Sequence, residues 1–165
     1  MATFKKNGFG QVEPNHLSAQ RTAQIYAQLP AEASIEVLEN GQYVKYDYLN
    51  KQVNFTGKGE WMMVFNEVKL YDDAWRETYK DFAMKKGNYT DGEMTPRVIK
   101  TNIGDIYTTN CIKDEAVEEG DILVPGAKGI LEVKAEPAAT DMQWEVVKIY
   151  NLADGEPAVK LMRIN

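Results

Sequence analysis

The run Ser34-Ile35-Glu36-Val37-Leu38-Glu39-Asn40-Gly41-Gln42-Tyr43-Val44-Lys45-Tyr46-Asp47-Tyr48 decides the fold class. Two β-rich segments flank Asn40-Gly41, a pair that accepts the positive φ of a type I′ turn. The stretch therefore predicts a hairpin joining Ser34–Leu38 to Tyr43–Tyr48. In its second arm Val44, Tyr46 and Tyr48 share one face and Tyr43, Lys45 and Asp47 the other, so a packed side and a wet side are expected. Working outward, the β pattern continues at Val53–Phe55 and at Trp61-Met62-Met63-Val64-Phe65. The second run does not alternate, which reads best as a strand covered on both faces, with a short buried helix as the alternative. Further strands are expected over Arg97–Lys100, Asp105–Ile112, Gly120–Val124, Gly129–Lys134, Trp144–Tyr150 and Pro157–Ile164. Many short strands separated by Gly, Pro and Asn turns predict a mainly β chain, a single β-barrel or sandwich-like domain.

Two segments break the period of two. Ser18 is a good N-cap, Thr22, Ile25, Tyr26 and Leu29 recur at helical spacing, and Pro30 stops the run, which predicts a short helix near 18–29. Trp75, Tyr79, Phe82 and Ala83 form a second stripe, with acids early, Lys85 and Lys86 late and Gly87 as a stop, which predicts a helix over 73–86. Residues 1–17 carry Gly8, Gly10 and Pro14 and no period, and read as an extended N-terminal arm on a β-rich domain over 18–165. Phe4, Lys5, Lys6 and Phe9 on that arm are the candidate partner-binding residues.

Composition narrows the functional classes. The chain has one histidine, His16, and one cysteine, Cys111, whereas acyl-transfer triads, zinc sites and redox pairs draw on several such residues. No catalytic, cofactor-binding or metal-binding residue is predicted, and the expectation is a protein that is not an enzyme. His16 reads as an ordinary exposed histidine and Cys111 as a small buried hydrophobe. A single cysteine allows no internal disulfide, which suits synthesis in a reducing cytoplasm. No apolar run approaches the roughly 18 residues of a membrane span.

The net charge of −6 is uneven: residues 1–29 carry +2, residues 112–165 carry −5, and the middle carries −3. Lys5-Lys6 falls short of the basic patch that nucleic-acid binding needs. Gly120-Asp121-Ile122-Leu123-Val124-Pro125-Gly126-Ala127-Lys128 is superficially like a phosphate loop, but its glycines are one residue too far apart and no Lys-Ser/Thr follows. It reads as two strands joined by a Pro-Gly turn. Asp72-Asp73 and Glu118-Glu119 read as a helix cap and a solvated loop. Tyr43, Tyr46, Trp61 and Trp144 could instead line a sugar or peptide groove, the mark of a free-standing binding domain.

Trp61-Met62-Met63-Val64-Phe65-Asn66-Glu67-Val68-Lys69-Leu70-Tyr71-Asp72, Tyr79-Lys80-Asp81-Phe82-Ala83 and Thr101-Asn102-Ile103-Gly104-Asp105-Ile106-Tyr107-Thr108-Thr109-Asn110 resemble segments of small structural proteins from tailed-bacteriophage heads. The resemblance runs from about Trp61 to Val133 and includes Gly120–Val124 and Gly129–Val133. It implies a virion protein that binds the major capsid protein, and possibly other head proteins, as a decoration or cement subunit or a head-fibre anchor. It carries no catalytic residues. A capsid-surface location follows, since an acidic body is repelled by packaged phosphates. The arm around Phe4, Lys5, Lys6 and Phe9 is then expected to insert between capsomers, a homo-oligomer is possible, and a tail or neck protein is the nearest alternative.

Overall fold

The computed structural model describes residues 4–5, 8–18, 29–66, 83–89, 93–113 and 116–165. Among them twelve strands, numbered along the chain, form three antiparallel sheets. The largest has the order β1 (Val12–His16), β8 (Ile106–Thr109), β12 (Pro157–Arg163), β11 (Trp144–Asn151), β9 (Ile122–Pro125), β10 (Leu131–Val133). The second has the order β4 (Gln52–Asn54), β3 (Tyr43–Asp47), β5 (Trp61–Val64), β7 (Val98–Ile99), and β2 (Val37–Glu39) pairs with β6 (Ala83–Lys85). The fold is mainly β, as expected, but the sheets stay open and stack, so a barrel is ruled out. Tight closure needs a continuous ring of pairing, and here β1 and β10 end the large sheet on opposite sides.

The small sheet is the middle layer. Tyr43, Met63 and Ile99 point from it into one core, shared with Tyr107, Leu123, Leu131, Trp144, Val159 and Leu161 of the large sheet. Val44, Tyr46, Met62, Val64 and Val98 enter a second core with Leu38 and Met84 of the two-stranded sheet. The non-alternating Trp61–Val64 run is thus covered on both faces, as its composition predicted. Tyr43, expected on a wet side, is fully buried for the same reason, and only the later residues Lys45 and Asp47 reach solvent.

The decisive hairpin is half right. Glu39–Gln42 does turn, with the Gln42 amide donating to the Glu39 carbonyl (3.2 Å) and Gly41 at φ +89. Asn40 is not at positive φ, so the geometry is that of a type II turn, which splays its flanking strands. β2 leaves for β6, and β3 pairs with β4 and β5. Asn40 is instead used as a clamp: its Nδ2 donates to the Asn66 carbonyl (3.1 Å), and the Asn66 amide donates to its Oδ1 (2.8 Å).

Helix 73–86 is corrected where it is described. Ala83–Lys85 is strand β6, and Lys86–Asn88 is a single 3-10 turn. Helix propensity loses to burial, because Met84 opposite Leu38 fills the second core. Residues 73–82, with Asp72-Asp73, and the body of the helix near 18–29 lie outside the described residues. Ser18 at the latter's start is bonded to Asp105, its amide to Oδ1 (2.9 Å) and its hydroxyl to Oδ2 (3.0 Å).

The arm over 1–17 is also revised. Val12–His16 is an edge strand paired with β8, and Leu17 is in the first core. Among the described residues ahead of it, Phe4 packs against that core and the Lys5 ammonium sits 2.9 Å from the Glu39 carboxylate. The described residues of the segment form a strap lying on their own domain.

Candidate functional site

Three regions carry the side chains of interest. The first is the strap. Glu39 accepts from Lys5 Nζ (2.9 Å) and from the Gly10 amide (2.8 Å), and Lys85 Nζ lies 4.5 Å from the centre of the Phe9 ring. Lys5 holds φ +54, a conformation that disfavours a side chain by about 1–2 kcal/mol. The Glu39 ion pair holds it there. Burial disfavours its ammonium, but the hydrogen bond to the Glu39 carboxylate and the charge of that carboxylate outweigh this and raise its pKa. Lys6 lies outside the described residues. Phe4, Lys5 and Phe9 are thus each engaged by the chain's own residues.

Cys111 lies beneath this strap, fully buried, with burial pushing its thiol up to about 12. A thiol so held is neutral at physiological pH and is no nucleophile. A disulfide reagent such as dithionitrobenzoate at pH 8 should release no thiolate product from the native protein and one equivalent after denaturation. Rapid native reaction would show that the strap opens. His16 is exposed on β1 with no cysteine beside it, so the two residues do not form a pair. Among the described residues no three His, Cys, Asp or Glu gather to hold a metal ion, and no helix is long and apolar enough to cross a membrane. The Gly120–Lys128 segment is structural: the Gly126 amide donates to the Ile130 carbonyl (2.9 Å), closing the β9–β10 hairpin.

The second region is the tip of the β3–β4 hairpin. Asp47 accepts from the Asn50 amide (3.1 Å) and from Asn50 Nδ2 (2.8 Å), and the Asn50 side-chain bond first of all holds the Asp47 carboxyl below its usual pKa. The Tyr46 and Tyr48 rings lie 5.1 Å apart. On this fixed turn Tyr48 is 65% and Leu49 91% exposed. Sequence reading placed Tyr48 on the packed face by extending strand alternation beyond Asp47. Leu49 was passed over, although an apolar pair between Asp47 and Asn50 is an unusual turn composition.

No known protein family, curated protein or solved structure matches the chain.

The third region surrounds Trp61. Of the four aromatics expected in a groove, Tyr43 and Trp144 are fully buried and Tyr46 nearly so. Trp61 borders two open clefts, one of about 450 Å³ with Lys45, Glu60 and Arg163, the other of about 460 Å³ with Phe55, Glu132 and Lys134.

Three of the sheet edges are poor docking sites. β1 carries Pro14 and a register shift, β10 is bridged by Ile112, and β4 is covered by Pro30–Glu32 through Val53. Each device blocks strand addition.

Proposed function

We propose that the chain is a virion structural protein of a tailed phage, which binds the major capsid lattice through the Tyr48–Leu49 tip and decorates or stabilises the head. The observation that carries this reading is the tip: two adjacent apolar side chains held in water by a rigid turn. Burying each against a partner is worth roughly 1.5–3 kcal/mol, and little ordering entropy opposes it because the turn is already fixed. The described residues of the segments that resemble head proteins belong mostly to β5, β8, β9 and β10, with Ala83 in β6, and are frame residues. The likeness therefore concerns architecture, and the contact is assigned to the tip on physical grounds. Insertion of Phe4, Lys5, Lys6 and Phe9 between capsomers would first have to break the Lys5–Glu39 and Phe9–Lys85 contacts, so we give that segment a supporting role. The acidic body suits the outer capsid surface.

Co-sedimentation with heads lacking the protein tests the reading. Saturable binding is expected, and the variant carrying Tyr48→Asp and Leu49→Asp should lose at least tenfold in affinity with an unchanged urea midpoint. Undiminished binding by that variant would remove the tip from the contact. Binding to tails in place of heads would make the chain a tail or neck protein.

A further inference from the structure

The edges of β1, β10 and β4 are closed, but the outer edge of β2 is open. β2 is paired on one side, to β6, in a sheet of two strands. The Lys86 amide donates to the Glu36 carbonyl (3.0 Å), which fixes the alternation of the ladder. Glu36 and Leu38 turn their backbone groups toward β6, and Val37 turns its N–H and C=O outward. Neither outward group meets a hydrogen-bond partner among the described residues. The positions on either side are taken. The Ile35 amide donates to the Glu32 carbonyl (2.9 Å), while Glu39 gives its amide to Gln42 Oε1 (2.6 Å) and accepts from the Gln42 amide at its carbonyl (3.2 Å). Val37 is 38% exposed, and a groove of about 550 Å³ runs along this edge, lined by Ile35, Phe55 and Ile130 together with Glu36 and Lys128.

One donor and one acceptor on a single residue of an open strand edge are complementary to themselves. A two-fold axis beside Val37 sets two β2 strands antiparallel, so that each Val37 amide donates to the other Val37 carbonyl. The charges favour the same arrangement. Lys128 is tied to the Glu39 end of β2, where its carbonyl accepts from Gln42 Nε2 (3.2 Å), and Glu36 precedes the opposite end. Antiparallel pairing lays the Glu36 end of one strand against the Lys128 end of the other, twice over, whereas parallel pairing would lay Glu36 against Glu36. Glu36 is 73% exposed, with Lys86 at 3.6 Å, and Lys128 makes no ion pair among the described residues. We propose that the outer edge of β2 docks a second copy of this chain, giving a two-fold dimer with the sheet order β6–β2–β2–β6. The amides of Ile35 and Glu39 are already used, so the ladder ends at the Val37 pair and the contact closes as a dimer. Ile35, Phe55 and Ile130 supply apolar area, and the Glu36–Lys128 pairs fix the register. This contact is separate from the Tyr48–Leu49 tip, and each can fail without the other.

Sedimentation equilibrium of the full chain gives the test. A dimer is expected at about 100 μM protein, a weak one because the ladder is short. Val37→Pro removes the donated N–H and leaves the β2–β6 bonds alone, since that amide faces outward, and should weaken dimerisation at least tenfold. Glu36→Lys and Lys128→Glu should each weaken it at least tenfold, because each charge acts twice in a two-fold contact. The double variant, with both charges exchanged, should restore the dimer, and this comparison decides the matter even if Val37→Pro does not fold. The variant carrying Tyr48→Asp and Leu49→Asp should dimerise as the parent does. The proposal is overturned if the parent is monomeric at that concentration, if folded Val37→Pro dimerises undiminished, if the double charge exchange fails to restore the dimer, or if the tip variant loses it. A monomeric parent whose binding to heads falls with Val37→Pro would also overturn it, and would give the edge to a strand of another protein.

Discussion

Gly129→Ala should cost about 3–5 kcal/mol, far more than the addition of one methyl group costs at most positions. Gly129 holds φ +68, and a Cβ there would lie 1.8 Å from the Tyr43 carbonyl oxygen. The contact is with backbone, so no rotamer change relieves it. The Gly129 carbonyl accepts from the Tyr43 amide (2.7 Å) and the Lys128 carbonyl from Gln42 Nε2 (3.2 Å), so the β9–β10 turn is stitched to the start of β3. Making room for the methyl means parting the large sheet from the middle layer where the first core begins. Gly120→Ala is the control. It shares the left-handed backbone, at φ +93, but meets nothing within 4 Å, so only the conformational cost of about 1–2 kcal/mol applies. Urea unfolding should put Gly129→Ala well below Gly120→Ala in midpoint. Equal losses would show that backbone strain alone matters and that the stitch between the layers contributes nothing.

That stitch also marks the boundary of what the sequence reveals. Trp61-Met62-Met63-Val64 could be read as a doubly covered strand because burial on both faces leaves a local trace, the loss of alternation. The strands from Arg97 onward were legible for a similar reason, since turn residues bound each one. Which strand pairs with which leaves no such trace. Asn40-Gly41 announced a turn, but whether Asn40 would adopt positive φ depended on Asn66, which claims its side chain from a distance in sequence. Ala83-Met84-Lys85 has helical propensity, and only the place waiting for Met84 opposite Leu38 makes it a strand. Gly129 was readable as a turn glycine and not as the point of closest approach between layers. Candidate sites suffered in the same way. Phe4, Lys5 and Phe9 looked available because Glu39 and Lys85, which engage them, are not local. Trp61 was named among four aromatics that sequence could not rank, and Asp141 and Arg163 beside it were not suspected, because pairing across strands brings them there.

Trp144→Ala should be the other severe loss, about 3–5 kcal/mol by the measure of buried aromatic deletions. Trp144 is fully buried on β11, edge-on to Tyr107 at 4.8 Å and tilted against Tyr43 at 6.1 Å. Tyr107 belongs to the large sheet and Tyr43 to the middle layer, so removal of the indole empties the junction between them. The two tyrosine hydroxyls bond each other (2.9 Å), and burial first of all raises both pKa values, keeping both protonated. They cannot follow a collapsing cavity without losing that bond, so relaxation is restricted and the cavity penalty stays high. Trp144→Phe separates packing from polarity. The indole Nε1 has no hydrogen-bond partner among the described residues, so phenylalanine removes a buried donor whose desolvation opposes folding while leaving a smaller void. It should cost about 1–2 kcal/mol, less than half the loss in alanine. Chemical unfolding of both variants decides the point: if phenylalanine is as damaging as alanine, the indole nitrogen has a partner that stabilises it, and the junction rests on polarity more than on packing.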